Sequence, residues 1–240
     1  MYQFIENMFK GKREELIETV KQNIYKENKM FIITANSEIF MVGEKEKKVA
    51  EILLSKKNII IADGIGIVRG AKTLNIRLEE KIPGIELVES ILEIVNQLNR
   101  KIYVYGSKQR VLNNFENIVN QKYPNINISG LKNGYENKPG DVFLDIINKE
   151  PDLVLVAMGV PKQELVIWEN YDKIKKGIFI GVGGSIDVLS GSKKRAPNVF
   201  CKLNLEWLYR ITTEPKRIGR FFKYNIKFLR VIKKEKKKKF

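Results

Sequence analysis

The sequence predicts an α/β fold: a Rossmann-like parallel sheet with helices on both faces, followed by a basic helical C-terminal appendage. Three observations carry that prediction. Short, β-rich apolar runs recur through the first 192 residues. The segments between them set apolar residues at helical spacing, and near-continuous apolar strands alternating with helices are the pattern of a parallel sheet covered on both sides. Positive charge then gathers: from Lys193 onward there are 17 Lys and Arg against the three acids Glu206, Glu214 and Glu235, whereas the residues before it are nearly neutral. The chain is therefore read as an α/β body over 1–192 and a basic appendage over 193–240.

The elements follow in order. Met30–Ile33, Asn58–Ala62, Ile102–Tyr105, Leu153–Met158 and Ile178–Val182 are the strand candidates. Glu44–Leu54 sets Val49, Ile52 and Leu53 on one side of a helix. Ile85–Leu98 does the same with Leu87, Val88, Ile91, Ile94 and Val95, and Lys108–Val119 with Val111, Leu112 and Phe115. Asn204–Ile211 and Pro215–Lys234 are helical in the appendage, Pro215 being well suited to a helix start.

Composition narrows the chemistry. With 43% apolar and 30% charged residues in 240, the chain has enough to bury one large domain. One cysteine, Cys201, excludes an intramolecular disulfide and fits a reducing cytoplasm. The opening residues MYQFIENMFKGKREEL do not read as a secretion signal, and no apolar run reaches the ~18 residues that span a bilayer. Histidine is absent, so histidine triads and histidine metal sites are excluded, and a base acting near neutral pH must be Asp, Glu, Lys, Tyr or Cys. No Asp-x-Asp pair is present to hold a divalent metal against a nucleotide diphosphate, so neither metal nor cofactor is expected.

Ligands of open parallel sheets bind beyond the carboxyl ends of the strands. Those ends carry Thr34 and Asn36, Asp63-Gly64-Ile65-Gly66, Gly106-Ser107, Gly159 to Glu164, and Gly183-Gly184-Ser185. The Gly106-Ser107 and Gly183-Gly184 loops suit a phosphate at a helix start, and equally suit ordinary turns. Asp63 is either a turn aspartate or a base at the rim. Thr34 and Asn36 bond a sugar or phosphate, or close their own turn. Gln163 and Glu164 open a helix, where capping and solvent exposure are the alternative role.

The last predicted helix mixes Ile218, Phe221, Phe222, Leu229 and Ile232 with Arg217, Arg220, Lys223, Lys227 and Arg230. An apolar, aromatic-rich stripe flanked by cations and ending in a lysine run describes a helix lying on an anionic membrane surface. The alternatives are packing on the body and, with less support, nucleic-acid binding.

These segments resemble the WecG/TagA/CpsF glycosyltransferases, glycosyltransferase family 26, over nearly the whole chain. The resemblance rests on Gly159-Val160-Pro161-Lys162-Gln163-Glu164, Gly181 to Asp187, Ser190-Gly191, Lys194-Arg195-Ala196-Pro197 and Leu205 to Arg210, with Thr34-x-Asn36-x-Glu38 and Asp63-Gly64-x-Gly66 upstream. It implies an inverting transfer from a UDP-sugar to an undecaprenyl-diphosphate-linked sugar at the inner face of the bacterial membrane. The TagA branch adds N-acetylmannosamine to lipid-linked N-acetylglucosamine for wall teichoic acid. Asp63 would then be the base, Thr34, Asn36 and Gln163 would line the sugar pocket, and Arg210, Arg217 and Arg220 would meet diphosphate oxygens, a task suited to the guanidinium fork. The chain departs from the pattern at Lys81, where many members carry arginine, and at Glu86, where many carry aspartate. The resemblance leaves open another donor (glucose, galactose or a uronic acid, for capsule or exopolysaccharide) and self-association into a homo-oligomer. Outside the family, a non-catalytic basic module that binds membrane or nucleic acid is the competing class.

Overall fold

The computed structural model describes residues 1–215 and 218–239, the side chains at 220 and 239 excepted. Six strands form one sheet: β1 (Lys29–Ala35), β2 (Asn58–Ala62), β3 (Lys101–Gly106), β4 (Asn127–Lys132), β5 (Leu153–Ala157) and β6 (Gly177–Gly181). Their order is β2-β1-β6-β5-β3-β4, and every neighbouring pair is parallel. The five expected strands are all present. β4 was not anticipated. It is one of the two edge strands, its sequence NISGLK is not an apolar run, and its residues stay partly exposed.

Alternating strand residues feed two cores, one on each face of the sheet. Phe31 and Ile33 of β1, with Tyr103 and Tyr105 of β3, point to one face. Against it pack α1 (Tyr2–Glu6), α3 (Ser37–Gly43), α4 (Lys47–Leu54), α5 (Ile65–Thr73), α8 (Pro139–Lys149) and α9 (Lys162–Tyr171). Met30, Ile32, Ile102 and Val104 point to the other. That face is covered by α2 (Arg13–Tyr25), α6 (Gly84–Gln97), α7 (Gln109–Lys122) and α10 (Ser185–Leu189).

The topology creates the crevice that matters. β1 and β6 are neighbours, yet the helix after β1 (α3) goes to one face and the helix after β6 (α10) to the other. A gap between their carboxyl ends follows from that divergence.

The appendage continues as α11 (Asn198–Lys202), α12 (Glu206–Thr213) and α13 (Ile218–Lys239). The apolar residues of α13, expected as one stripe, divide between two faces. Phe228 and Ile232 are buried in the core against α3 and α5, while Ile218, Phe222, Ile226 and Leu229 are exposed. Residues 221 and 222 are about 100° apart on a helix of 3.6 residues per turn, so Phe221 and Phe222 cannot share a face. Gly70 of α5 makes room for the docking: a Cβ there would lie 2.8 Å from the Phe228 ring. Ser37 adds a polar anchor, its hydroxyl donating to Asn225 Oδ1 at 2.9 Å.

Phe228→Ala empties a fully buried ring position and lowers unfolding stability by about 3–5 kcal/mol. Denaturant titration measures the loss, and limited proteolysis shows α13 becoming the first site of cleavage.

Candidate active site

A cavity of about 390 Å³ opens where the strands end, inside the size range of small-molecule sites. Its walls come from the ends of β1, β2, β5 and β6, and its roof from α12 and α13. Trp207 of α12 stacks on Phe221 of α13 with ring centroids 4.8 Å apart and planes within 7° of parallel. Both rings line the cavity.

Asp63 follows β2 directly and lies half-buried on the cavity wall. Its backbone N–H donates to Ala35 O of β1 at 3.0 Å, which fixes the turn. Its Oδ1 accepts from the backbone N–H of Gly84, the first residue of α6, at 2.6 Å. Gly84 is needed there, since a Cβ would lie 2.8 Å from Thr34 Cγ2. Burial pushes the Asp63 carboxyl above the ordinary aspartate range; the Gly84 N–H and the charges of Arg210 and Lys81 pull the other way, and Glu206 pushes up again. A carboxylate more basic than usual, held in a cleft, is equipped to accept a proton.

Thr34 and Asn36 reach the cavity with part of their bonding capacity spent. Thr34 Oγ1 donates to Gly181 O at 2.8 Å, tying β1 to β6. Asn36 caps α3, its Oδ1 accepting from the N–H groups of Glu38 and Ile39 at 2.9 and 3.2 Å. The turn-closing roles allowed by the sequence are therefore present, and the same residues line the cavity.

Gln163 lines the cavity, and the alternative role of solvent exposure is excluded for both Gln163 and Glu164, which are 2% and 1% exposed. Gln163 Oε1 accepts from Gly159 N and Gly183 N at 3.1 and 3.0 Å, so one side chain bridges the loops after β5 and β6. Gly181 leaves room for the Gln163 side chain, whose Nε2 would lie 2.6 Å from a Cβ there, and Gly183 has a positive φ of 46°. Gly183 and Gly184 line the cavity.

Gly106 and Ser107 are not brought to this cavity. β3 is separated from β6 by β5. Both residues have positive φ (114° and 58°) and form a turn in which Ser107 N donates to Ala157 O at 2.9 Å and Gly134 N to Ser107 O at 3.1 Å. Lys81 is absent from the wall and acts on Asp63 through its charge. Glu86 is a brace, paired with Arg13 at 3.2 Å and Arg195 at 2.8 Å.

From the appendage, Arg210 lines the cavity and pairs with Glu206 at 2.6 Å. The roles expected of Arg217 and of the Arg220 guanidinium fall on groups outside the described residues. A second cavity of about 300 Å³ adjoins the first, sharing Ile85, Gly184, Glu206 and Arg210, and brings Lys193, Lys194 and Arg195 alongside. Lys193 bridges Asp187 and Glu214 at 2.8 and 3.2 Å; burial works against its charge, but the two carboxylates outweigh it and raise its pKa. Arg195 also reaches Glu89 at 3.0 Å. The sequence motif Lys194-Arg195-Ala196-Pro197 did not reveal these ties, because their partners lie up to 109 residues away in the chain.

A carboxylate raised above its ordinary range, in the crevice of a doubly covered parallel sheet and roofed by the appendage, marks a Rossmann-like α/β protein with a proton-accepting site. Comparison with known proteins narrows this. Residues 5–240 match the family model described as "Glycosyl transferase WecG/TagA/CpsF family". The chain belongs to that family and is a glycosyltransferase. It is 38% identical over 208 residues to the N-acetylglucosaminyldiphosphoundecaprenol N-acetyl-beta-D-mannosaminyltransferase of Bacillus subtilis (strain 168), covering 87% of this chain and 81% of the relative. It is also 38% identical over 216 residues to the enzyme of the same name from Staphylococcus aureus (strain NCTC 8325 / PS 47), covering 87% and 84%.

Glu164 supplies a stability prediction. Burial pushes its carboxyl to about 7, opposed by the Gln163 hydrogen bond and aided by the charge of Glu38. The folded protein thus retains a proton that the unfolded chain releases between pH 4.5 and about 7, so this group's contribution to stability falls as pH rises through that window. At about 1.4 kcal/mol per unit, the loss is about 3 kcal/mol. Glu164→Gln abolishes this dependence, and thermal melts show its advantage over the parent growing from pH 5 to pH 8.

Proposed function

We propose that this glycosyltransferase moves N-acetylmannosamine from a UDP-sugar to undecaprenyl-diphosphate-linked N-acetylglucosamine, with inversion, as in assembly of the wall teichoic acid linkage unit. The observation that carries the reading is Asp63: a carboxylate above its ordinary basicity, oriented by the Gly84 N–H, in a cavity that the cationic appendage closes. The names of the two relatives support the choice of sugar and acceptor.

The chemistry is one displacement. The acceptor hydroxyl attacks the anomeric carbon from the face opposite the nucleotide. A new carbon–oxygen bond forms, the bond to the β-phosphate oxygen breaks, and UDP departs with its electron pair. The hydroxyl proton passes to Asp63. Attack and departure on opposite faces invert the centre. Charge builds on the departing diphosphate, and no metal is invoked: Arg210 is assigned to it, with Arg217 and Arg220 as further cations from the same appendage. Thr34 and the Asn36 amide, with the Trp207–Phe221 platform, are assigned to the sugars.

The acceptor's lipid anchor requires a membrane approach. No helix among the described residues is long and apolar enough to cross a bilayer. The outward face of α13 combines Ile218, Phe222, Ile226 and Leu229 with Lys223, Lys227, Arg230, Lys233 and Lys234. That combination suits an anionic leaflet, at about 1 kcal/mol per charge near the surface. A peripheral enzyme at the cytoplasmic face of the membrane is the arrangement proposed.

Asp63→Asn removes the base and keeps the shape; UDP release with the lipid-linked acceptor falls by about 100- to 10,000-fold. Unchanged turnover in that variant defeats the assignment, and a panel of UDP-sugars run beside it tests the donor. Replacing Phe222 and Ile226 with serine abolishes cosedimentation with anionic vesicles, while turnover on a water-soluble acceptor analogue persists. Retained vesicle binding rules out the α13 docking face.

A further inference from the structure

We infer that Glu164, which does not line the cavity, is a positioning residue for the reaction: its carboxyl fixes Gln163, and through Gln163 sets the two glycine loops that form one cavity wall. The linkage is a chain of directed hydrogen bonds. Gly159 N–H and Gly183 N–H both donate to Gln163 Oε1, at 3.1 and 3.0 Å. With its oxygen so occupied, the Gln163 amide must present its nitrogen on the other side. That nitrogen donates to Glu164 Oε1 at 2.8 Å.

Ordinary packing does not account for the acid. Glu164 is 1% exposed, and its Oε2 is a buried oxygen without a hydrogen-bond partner. A buried, half-satisfied carboxyl costs stability that an apolar side chain of the same size would not. Its counterpart gain is orientation. Without an acceptor at this position the Gln163 amide is held only by the Gly159 and Gly183 N–H groups, its buried Nε2–H is left unpaired, and the side chain loses the bond that fixes its position from the other side. Gly159 and Gly183 have φ of 77° and 46°, backbone shapes of loops rather than of the strands they follow. Both loops contribute to the cavity wall with Gln163 itself.

The test compares Glu164→Gln, which keeps an oxygen acceptor, with Glu164→Met, which does not. Amide exchange by NMR is the direct readout. In the methionine variant exchange at Gly159 and Gly183 accelerates by about tenfold or more, while Ile32 in the central strand keeps its parent rate and so reports an intact fold. At pH 5, below the range in which the parent loses its Glu164 proton, the glutamine variant keeps the parent rates at all three. The kinetic arm rests on the transferase reading: the methionine variant raises KM for the donor or the acceptor by about tenfold with a smaller change in kcat, and the glutamine variant retains parent values. Gln163→Met cuts the same chain at its other end and reproduces the methionine signature, which covers the case of a Glu164→Met variant that does not fold. Parent-like exchange at both glycines in either methionine variant overturns the inference, as does a glutamine variant as impaired as the methionine one. A protein without transferase activity that still shows the exchange pattern would fail the functional reading alone.

Discussion

The molecule is organised by one constraint: two neighbouring central strands send their following helices to opposite faces of the sheet. β1 leads to α3 on one side and β6 to α10 on the other, so neither of these helices closes the gap above them, and the appendage roofs it instead. Everything that makes the site follows from filling that gap with little. Gly84, Gly181 and Gly183 stand where a Cβ would meet Thr34 or Gln163. The hydrogen bonds of the rim join different elements: Thr34 of β1 to Gly181 of β6, the Gly159 and Gly183 loops to Gln163 of α9, and Gly84 of α6 to Asp63. Each rim side chain is thus tied to a neighbouring element, and the Asp63 carboxyl is oriented by the Gly84 N–H.

That desolvation has opposed contributions. Burial alone would push Asp63 far toward the protonated form, where it cannot accept a proton. Arg210 and Lys81 act against it, and the Gly84 N–H stabilises the ionised form. Arg210 itself is restrained by Glu206, whose charge reaches Asp63 with the opposite sign. The Asp63 carboxylate thereby lies between the influences of two helices, α6 from the body and α12 from the appendage, and neither alone sets its basicity.

The sequence made the sheet legible because parallel strands buried on both faces must be apolar throughout. Ile59-Ile60-Ile61 and Leu153 to Val156 can hardly be anything else. β4 escaped because its sequence NISGLK is not an apolar run and its residues stay partly exposed, unlike β2 at the other edge. The rim residues were legible by position: Thr34, Asn36, Asp63, Gln163, Gly183 and Gly184 all line one cavity. Gly106-Ser107 sent the same signal for another reason. A glycine at a strand end looks alike in sequence whether it faces a ligand or, as here, the backbone of the next strand. Burial of Gln163 and Glu164 was not legible, since polar residues at a helix start are ordinarily solvated and only the packing of α9 against β5, β6 and α4 encloses them. The two faces of α13 were merged in the sequence because both are apolar. What separates them is which one finds α3 and α5.

That separation bears on how attachment and catalysis are coupled. The inward face of α13 is part of the body's own core through Phe228 and Ile232, so the helix does not need a bilayer to be held in place. α12 is tied to α13 by the Trp207–Phe221 stack and to the body by Lys193, which joins Asp187 to Glu214. Arg210 therefore stands over the cavity while the outer face of α13 is free of protein. An appendage built this way does not have to assemble the site upon reaching a membrane. Under the proposed function, such an appendage carries an assembled site to the membrane surface, with the outward stripe assigned to docking and the inward one to holding α12 over the cavity.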